Sequence, residues 1–271
     1  MRTMDAVAFK RSLCEADFSP RTVETYSYAV RDFMERFGTL SRAELSAYRS
    51  FLIDHYKPTT VNLRILSMNK YLDAVGLRKL QMKPLKLPQE SFLDRIISHE
   101  DYLRFKEALR KEPDRRWCFV VWFLAATGAR ISELVQFKVE DVRTGYIDIL
   151  SKGGRMRRLY FPENLRLEAG QWLKEEERDS GYLFLNARGV QLTPRGISFR
   201  LKGYARKHGI DEKLVHPHAF RHLFAKNFLR KNSDIALLAD LMGHNSIETT
   251  RIYLQQSSRE QGRMVNRIVD W

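Results

Sequence analysis

The sequence predicts a mainly helical protein with one small antiparallel β-sheet. Three observations support this prediction. Apolar residues recur at helical spacing along most of the 271 residues, capping residues stand at the start of several of these stretches, and two short alternating segments enclose a glycine turn. With 44% hydrophobic residues, the chain is long enough for one large domain or two modest ones.

Residues 1–80 are predicted to form a small helical domain. Ser19-Pro20 supplies a hydroxyl cap and a proline at the first turn of a helix, and Ser41 with Glu44 forms a capping box for the next one. Glycines at positions 38 and 76 mark helix ends. The four predicted helices span about 4–15, 19–38, 41–56 and 58–76.

An extended basic linker is predicted next, over residues 81–97. The stretch 77–89 carries two prolines and several basic residues without a clear period. Such a tether is suited to lie across a phosphate backbone, and an ordinary solvated linker explains the same composition equally well.

Residues 98–271 are predicted to form a larger, mainly helical domain. Ser98 and Asp101 cap its first helix, and an apolar helix follows over 117–126. Segments 146–150 and 158–161 flank a turn with two glycines, which predicts a β-hairpin. From Glu163 onward the pattern is mostly helical.

The net charge of +14 favours a nucleic-acid partner, because a basic surface displaces condensed counterions from phosphates. Residues 1–90 carry +5 and residues 91–271 carry +9, which suits a clamp with two DNA-facing parts. A basic surface that binds nothing is the alternative.

Other classes of protein are disfavoured by what the sequence lacks. No apolar run is long enough to span a membrane, and the first residues do not resemble a signal peptide, so we predict a cytoplasmic protein. The two cysteines, Cys14 and Cys118, are predicted to be buried free thiols, and no CxxC zinc motif occurs.

Several residues could bind a phosphate group or take part in a reaction at it. Arg130 follows a glycine break and has Glu133 one helical turn later, so a supported guanidinium could hold two phosphate oxygens; an ordinary surface ion pair has the same spacing. His218 and Arg221 stand at i,i+3 after a proline. His222 is predicted to be structural.

A metal shared by His218 and His222 is the alternative at that helix, but no nearby carboxylate or cysteine completes its shell. Further along, His244 follows Gly243 at a helix end, and Tyr253 comes nine residues later. Alone, Tyr253 is typical of any amphipathic helix.

In this order, the motifs resemble the tyrosine recombinase (phage integrase) family. They are Ala129-Arg130-x-x-Glu133, the hairpin Lys152, His218-x-x-Arg221, Gly243-His244 and Thr249-Thr250-x-x-Tyr253. Ser19-Pro20-Arg21-Thr22-x-x-x-Tyr26 resembles the family's helical, SAM-like core-binding domain. The layout is similar to compact Xer-type enzymes, without an arm-binding domain before the core-binding one.

The resemblance implies a site-specific recombinase that needs no metal, ATP or other cofactor. Tyr253 would form a 3′-phosphotyrosyl link, Arg130 and Arg221 would hold the phosphate, and His244 would donate a further hydrogen bond. Lys152 would protonate the leaving 5′-oxygen, although Arg155, Arg157 and Arg158 crowd the same hairpin. The resemblance also implies that His218 assists removal of the proton from Tyr253 and that Glu133 orients the site.

The resemblance also implies partners: double-stranded DNA with a specific recombination site, and a homotetramer in the synaptic complex formed from free monomers. The tail 257–271 would dock on a neighbouring protomer, or alternatively fold back on its own core. Two other functions stay open, a type IB topoisomerase-like DNA relaxation and a catalytically silent DNA-binding factor.

Overall fold

A computed structural model describes residues 6–87, 97–150, 156–244, 246–254, 265–267 and 269. Within them, most residues are helical and one two-stranded antiparallel sheet is present, which confirms the predicted fold class. The chain divides into two compact units, 1–89 and 90–271. In the described part of the chain, no helix is long and apolar enough to cross a membrane.

Four helices build the first unit, and their starts follow from local capping. The Ser19 hydroxyl accepts a hydrogen bond from the Thr22 backbone N–H, and Ser41 accepts one from Glu44. The apolar faces enclose a core that includes Phe9, Phe33, Tyr48 and Tyr71. The helices are α1 (Ala6–Glu15), α2 (Pro20–Phe37), α3 (Arg42–His55) and α4 (Pro58–Ala74).

The beginning of the predicted linker is attached to the first unit. A short 3₁₀ helix covers Arg78–Leu80, and residues 81–87 then run without helix or strand. The side-chain amide of Asn69 pairs with both backbone groups of Met82, and Asn62 pairs with both backbone groups of Leu85. These hydrogen bonds satisfy backbone groups that would otherwise need a partner in a helix or sheet. They hold this segment against α4, which contains both asparagines. Residues 88–96 of the predicted linker lie outside the described residues.

The second unit surrounds the apolar helix α6 with shorter helices. Its helices are α5 (His99–Arg110), α6 (Arg116–Thr127), α7 (Ile131–Leu134), α8 (Val139–Thr144), α9 (Glu163–Glu175), α10 (Pro194–Lys207), α11 (Pro217–Lys231), α12 (Ile235–Met242) and α13 (Glu248–Arg251), with a 3₁₀ turn at Ile252–Leu254. Almost every residue of α6 is buried, and α11 packs against it. Two neighbouring helices of the site, α6 and α11, thereby share one core.

The sheet consists of β1 (Tyr146–Leu150) and β2 (Met156–Tyr160), paired from Tyr146↔Tyr160 to Leu150↔Met156. The second strand begins two residues before its predicted start, because the ladder continues to Met156. Successive side chains alternate between faces, so Arg157 and Leu159 are buried while Arg158 is exposed. The turn, which contains Lys152 and Arg155, lies outside the described residues.

Both cysteines are free thiols, as predicted. Cys118 is buried in α6, and burial raises the pKa of its thiol. The prediction that Cys14 is also buried is wrong, because its position near the end of α1 faces away from the core that Leu13 enters.

Candidate active site

Glu133 holds two arginines at the start of α7. Its carboxylate accepts hydrogen bonds from the Arg130 guanidinium at 3.0 Å and from Arg157 at 2.6 Å, and it also caps the Arg130 backbone N–H at 2.6 Å. Arg157 also donates to the Leu241 carbonyl at the end of α12. The carboxylate therefore connects β2 with the glycine break after α6, where Arg130 stands.

Arg221 lies on α11 and is almost fully buried. Its guanidinium donates to the Gly128 and Met242 carbonyls at 2.5 Å each, and to His244 Nε2 at 3.0 Å. Gly128 has φ +63°, and a Cβ there would stand 2.6 Å from the Phe224 ring, so glycine allows this carbonyl to face Arg221. Burial, and then repulsion from neighbouring guanidiniums, lower the pKa of Arg221 to about 10, so it stays charged at neutral pH.

His244 follows the left-handed glycine that ends α12. Its Nδ1 lies 2.7 Å from the Thr250 hydroxyl, while Nε2 receives the hydrogen bond from Arg221. Burial and the positive charge of Arg221, Arg130 and Arg157 lower its pKa to about 4. The neutral tautomer that fits these contacts carries its proton on Nδ1 and donates it to Thr250.

Tyr253 is 7% exposed, and its hydroxyl lies 2.7 Å from Nδ1 of His222. Burial raises the pKa of the phenol, and the nearby Arg221 charge opposes this shift. Burial followed by the charge of neighbouring histidines lowers the pKa of His222 to about 4. At neutral pH the contact therefore joins a protonated phenol to a neutral imidazole.

His218 lies one turn before His222 on α11 and is exposed. Partial desolvation by the surrounding residues, and then the charges of Arg221 and Arg130, lower the pKa of His218. Among the described residues, no hydrogen bond joins His218 to Tyr253. Lys152, the remaining predicted site residue, lies outside the described residues.

The structure thus gathers Arg130, Arg221, His244 and Tyr253 around the end of α12, with Glu133 as support. Among the described residues, the guanidiniums of Arg130 and Arg157 pair with the Glu133 carboxylate, and the charge of Arg221 also acts on it, so this partly buried site carries excess positive charge. A phosphate group would relieve the repulsion and receive several charge-assisted hydrogen bonds. Among those residues, no group of three or more histidine, cysteine or carboxylate side chains is arranged to hold a metal ion.

The sequence predicts no functional role for two residues at this site. Arg157 is one of several hairpin cations, and the signal that marks it as buried is its alternation with Leu159. His222 is predicted to be structural, and the signal for a role at the site is its i,i+4 spacing from His218, which places it on the same side of α11. Only the folding of the terminal segment brings Tyr253 to it.

Breaking the Arg157–Glu133 pair should destabilise the second unit strongly. Both side chains are almost completely buried, at 6% and 7% exposure. An Arg157→Met variant would leave part of the Glu133 charge uncompensated, so we expect the free energy of unfolding to fall by about 3 kcal/mol in chemical denaturation. Adding Glu133→Gln to this variant should recover part of the loss.

The neighbouring arginine offers a matched control. Arg158 forms a two-pronged ion pair with Asp148 on the exposed face of the sheet, with both side chains about two-fifths exposed. Because solvent screens this pair, Arg158→Met should lower the free energy of unfolding far less than Arg157→Met does. Equal losses for the two variants would contradict a special role of the buried pair.

Comparisons with known proteins show the family to which the chain belongs. The sequence model of the phage integrase family matches residues 95–260. The chain is 30% identical over 258 residues to the tyrosine recombinase XerA of Pyrococcus furiosus, covering 92% of this chain and 88% of that protein. It is also 30% identical over 281 residues to the tyrosine recombinase XerD of Vibrio cholerae, covering 92% and 89%.

Among solved structures, the fold is similar to that of the XerH site-specific recombinase bound to a palindromic difH substrate in a post-cleavage complex. The TM-score is 0.76 at 19% identity, and the superposition covers 97% of this chain and 84% of that one.

Proposed function

The chain belongs to the phage integrase family and is a site-specific DNA recombinase of the tyrosine type, and from this premise we propose that Tyr253 cuts and rejoins double-stranded DNA. The observation that best supports Tyr253 as the nucleophile is its burial against α11, near enough to Arg221 for that charge to oppose the rise in the pKa of the phenol. We assign residues 98–271 to catalysis and residues 1–80 to binding of the core site. The predicted cytoplasmic location fits this substrate.

The reaction begins with attack of the Tyr253 oxygen on the scissile phosphorus. An O–P bond forms to the phenol while the bond to the 5′-oxygen breaks, which gives a 3′-phosphotyrosyl link and a free 5′-hydroxyl. The energy of the phosphodiester stays in the new ester, so a second 5′-hydroxyl can reverse the step on another strand.

Arg130 and Arg221 are suited to hold the non-bridging oxygens. Arg130 is the more accessible, with a side chain 34% exposed, and Glu133 fixes its direction. The Gly128 and Met242 carbonyls already fix the position of the Arg221 guanidinium, so little reorganisation is needed when negative charge develops in the transition state. Once Arg221 engages an oxygen, His244 would donate a hydrogen bond from Nε2 after a change of tautomer, in which the Thr250 hydroxyl donates to Nδ1 instead of accepting from it.

The proton transfers complete the proposal. We assign protonation of the leaving 5′-oxygen to Lys152 by its position in the hairpin turn. The role of His218 in removing the proton from Tyr253 stays a prediction. Three guanidiniums and a lysine supply the positive charge that other phosphoryl-transfer sites take from metal ions, and no cofactor is part of this mechanism.

A nicked suicide DNA tests the nucleophile. On such a substrate the short 5′-hydroxyl product diffuses away, so a covalent protein–DNA adduct should accumulate without added metal or ATP. Mass spectrometry of the digested adduct should locate the nucleotide on the peptide that contains Tyr253. Attachment to any other residue would overturn the assignment.

The choice between recombination and relaxation depends on the need for a second site. The relatives reported above are named recombinases, which favours recombination over a topoisomerase-like or a silent DNA-binding function. A recombinase should require a defined sequence and a paired partner site, whereas relaxation of any supercoiled plasmid at full rate would favour the topoisomerase-like activity.

We further propose that four copies assemble on two sites, joined by the tail 257–271. Most of this tail lies outside the described residues. A chain truncated after Ser258 should bind a single site but lose synaptic complexes in gel-shift and sedimentation assays. Normal synapsis and recombination by the truncated chain would contradict exchange of the tail.

A further inference from the structure

The hydroxyl of Tyr253 already has a proton acceptor beside it, and it is not the predicted one. Its hydrogen-bond partner is Nδ1 of His222, at 2.7 Å, with the two ring centroids 5.4 Å apart. Such a distance is that of a short, well-formed hydrogen bond. The contact lies inside the cluster formed by α11, α12 and the terminal turn, where Ala225, Leu238 and Met242 are completely buried.

The charge state of both partners suits transfer of the phenol proton. Burial keeps Tyr253 protonated at neutral pH, so its O–H has a proton to give. Burial and the surrounding positive groups keep His222 neutral, so a lone pair is available on Nδ1 in the tautomer with its proton on Nε2. The groups whose charge acts on His222 are His218, His216, Arg221 and Lys226.

His218 is less well placed for this role. It is exposed, and the hydrogen bonds of the described residues do not connect it to Tyr253. A general base must lie within hydrogen-bond reach of the proton that it removes. The i,i+4 spacing puts both histidines on one side of α11, but His222 is the one that meets the terminal turn.

We propose that His222 is a catalytic residue that accepts the proton of Tyr253 as the phenol oxygen attacks phosphorus. The inference rests on the proposed function of Tyr253. The Oη–P bond forms, the bond from phosphorus to the 5′-oxygen breaks, and the phenol proton moves to Nδ1. The leaving 5′-oxygen takes its proton from the acid, which we assigned to Lys152, and rejoining reverses both transfers.

The positive charge created on His222 is compensated within the site. Neighbouring cations disfavour an imidazolium there as long as no anion is bound. A DNA phosphate adds one negative charge, and the transition state adds more, so the basicity of His222 rises at the moment when the proton must move. The same cations would thus prevent premature protonation of the base.

His222→Asn tests the proposal, because its amide can occupy the position of Nδ1 and hold the hydroxyl but cannot accept a proton. Adduct formation on nicked DNA in single turnover should slow by on the order of 10²- to 10⁴-fold. Thermal denaturation and DNA binding should stay close to those of the unaltered chain. A rate within about threefold of the unaltered chain would overturn the proposal.

A modified DNA and a modified protein separate activation of the nucleophile from protonation of the leaving group. DNA with sulfur in place of the bridging 5′-oxygen has a leaving group that needs no proton, so it should rescue Lys152→Ala and leave His222→Asn slow. Fluorinated tyrosine at position 253, whose phenol ionises more readily, should rescue His222→Asn. If it rescues His218→Asn instead, His218 is the base and the proposal fails.

The Tyr253→Phe and His222→Asn variants together distinguish loss of the nucleophile from loss of the base. A Tyr253→Phe chain that still forms the adduct would overturn the nucleophile itself, together with everything that rests on it. A His222→Asn chain that forms the adduct at the normal rate, while Tyr253→Phe forms none, would overturn only the role of His222.

Discussion

A Tyr253→Phe chain is expected to bind its DNA site normally and to form no covalent adduct. Phenylalanine has no nucleophile to join to phosphorus, so the yield on nicked DNA should fall by on the order of 10⁴-fold or more. The ring remains in its buried position, and loss of the hydrogen bond to His222 should cost about 1 kcal/mol of stability. The fold should therefore survive, and a gel-shift assay should give an unchanged affinity.

Tyr102 provides the matched control for this substitution. It is as buried as Tyr253, at 7% exposure, and lies on α5, which contributes none of the site residues. Tyr102→Phe should retain adduct formation within about twofold. An equal loss in both variants would show that removal of a buried hydroxyl, rather than of the nucleophile, causes the defect.

Substitution of Arg221 is expected to give the next largest loss of activity. Its guanidinium is a buried, permanently charged donor, and removal of such a donor costs about 10²- to 10³-fold in rate for each hydrogen bond to a developing anion. Arg221→Met should therefore reduce the rate of adduct formation by about 10³-fold or more. Binding of DNA should change much less, because the loss concerns the transition state.

Arg221→Met also leaves the Gly128 and Met242 carbonyls without their donor, so its stability must be measured separately. Arg221→Lys keeps a charge but cannot reach two carbonyls and an imidazole at once, and we expect a loss of about 10²-fold in a folded protein. Arg230→Met, at an exposed position near the other end of α11, is the control and should remain active. A fully active Arg221→Lys chain would contradict the proposed clamp.

Local signals in the sequence were sufficient for the helices. Caps such as Ser19, Ser41 and Ser98 act through neighbouring backbone groups, and the structure confirms each of these helix starts within one residue. The hairpin followed from alternation and a glycine turn for the same reason. The i,i+3 spacing of Arg130 and Glu133 likewise predicted a contact that the structure contains.

Local sequence signals do not predict contacts between distant segments. Arg157 meets Glu133 across 24 positions, and Tyr253 meets His222 across 31. Arg157 and Arg158 carry the same charge, and although alternation with Leu159 marks Arg157 as the buried one, only the fold determines that its partner is Glu133. Cys14 is a smaller case, where one position along a helix separates a core side chain from an exposed one.

The sequence by itself determined the helical class, the hairpin and the order of the chemical groups, because periodicity, capping and motif spacing act over a few residues. The tertiary structure decided which groups touch. Packing of α11 on α6 buries Arg221, the turn after α12 directs His244 toward it, and the terminal segment carries Tyr253 to His222. These contacts join segments tens of residues apart, so the packed core and the desolvation that follows from it determine them.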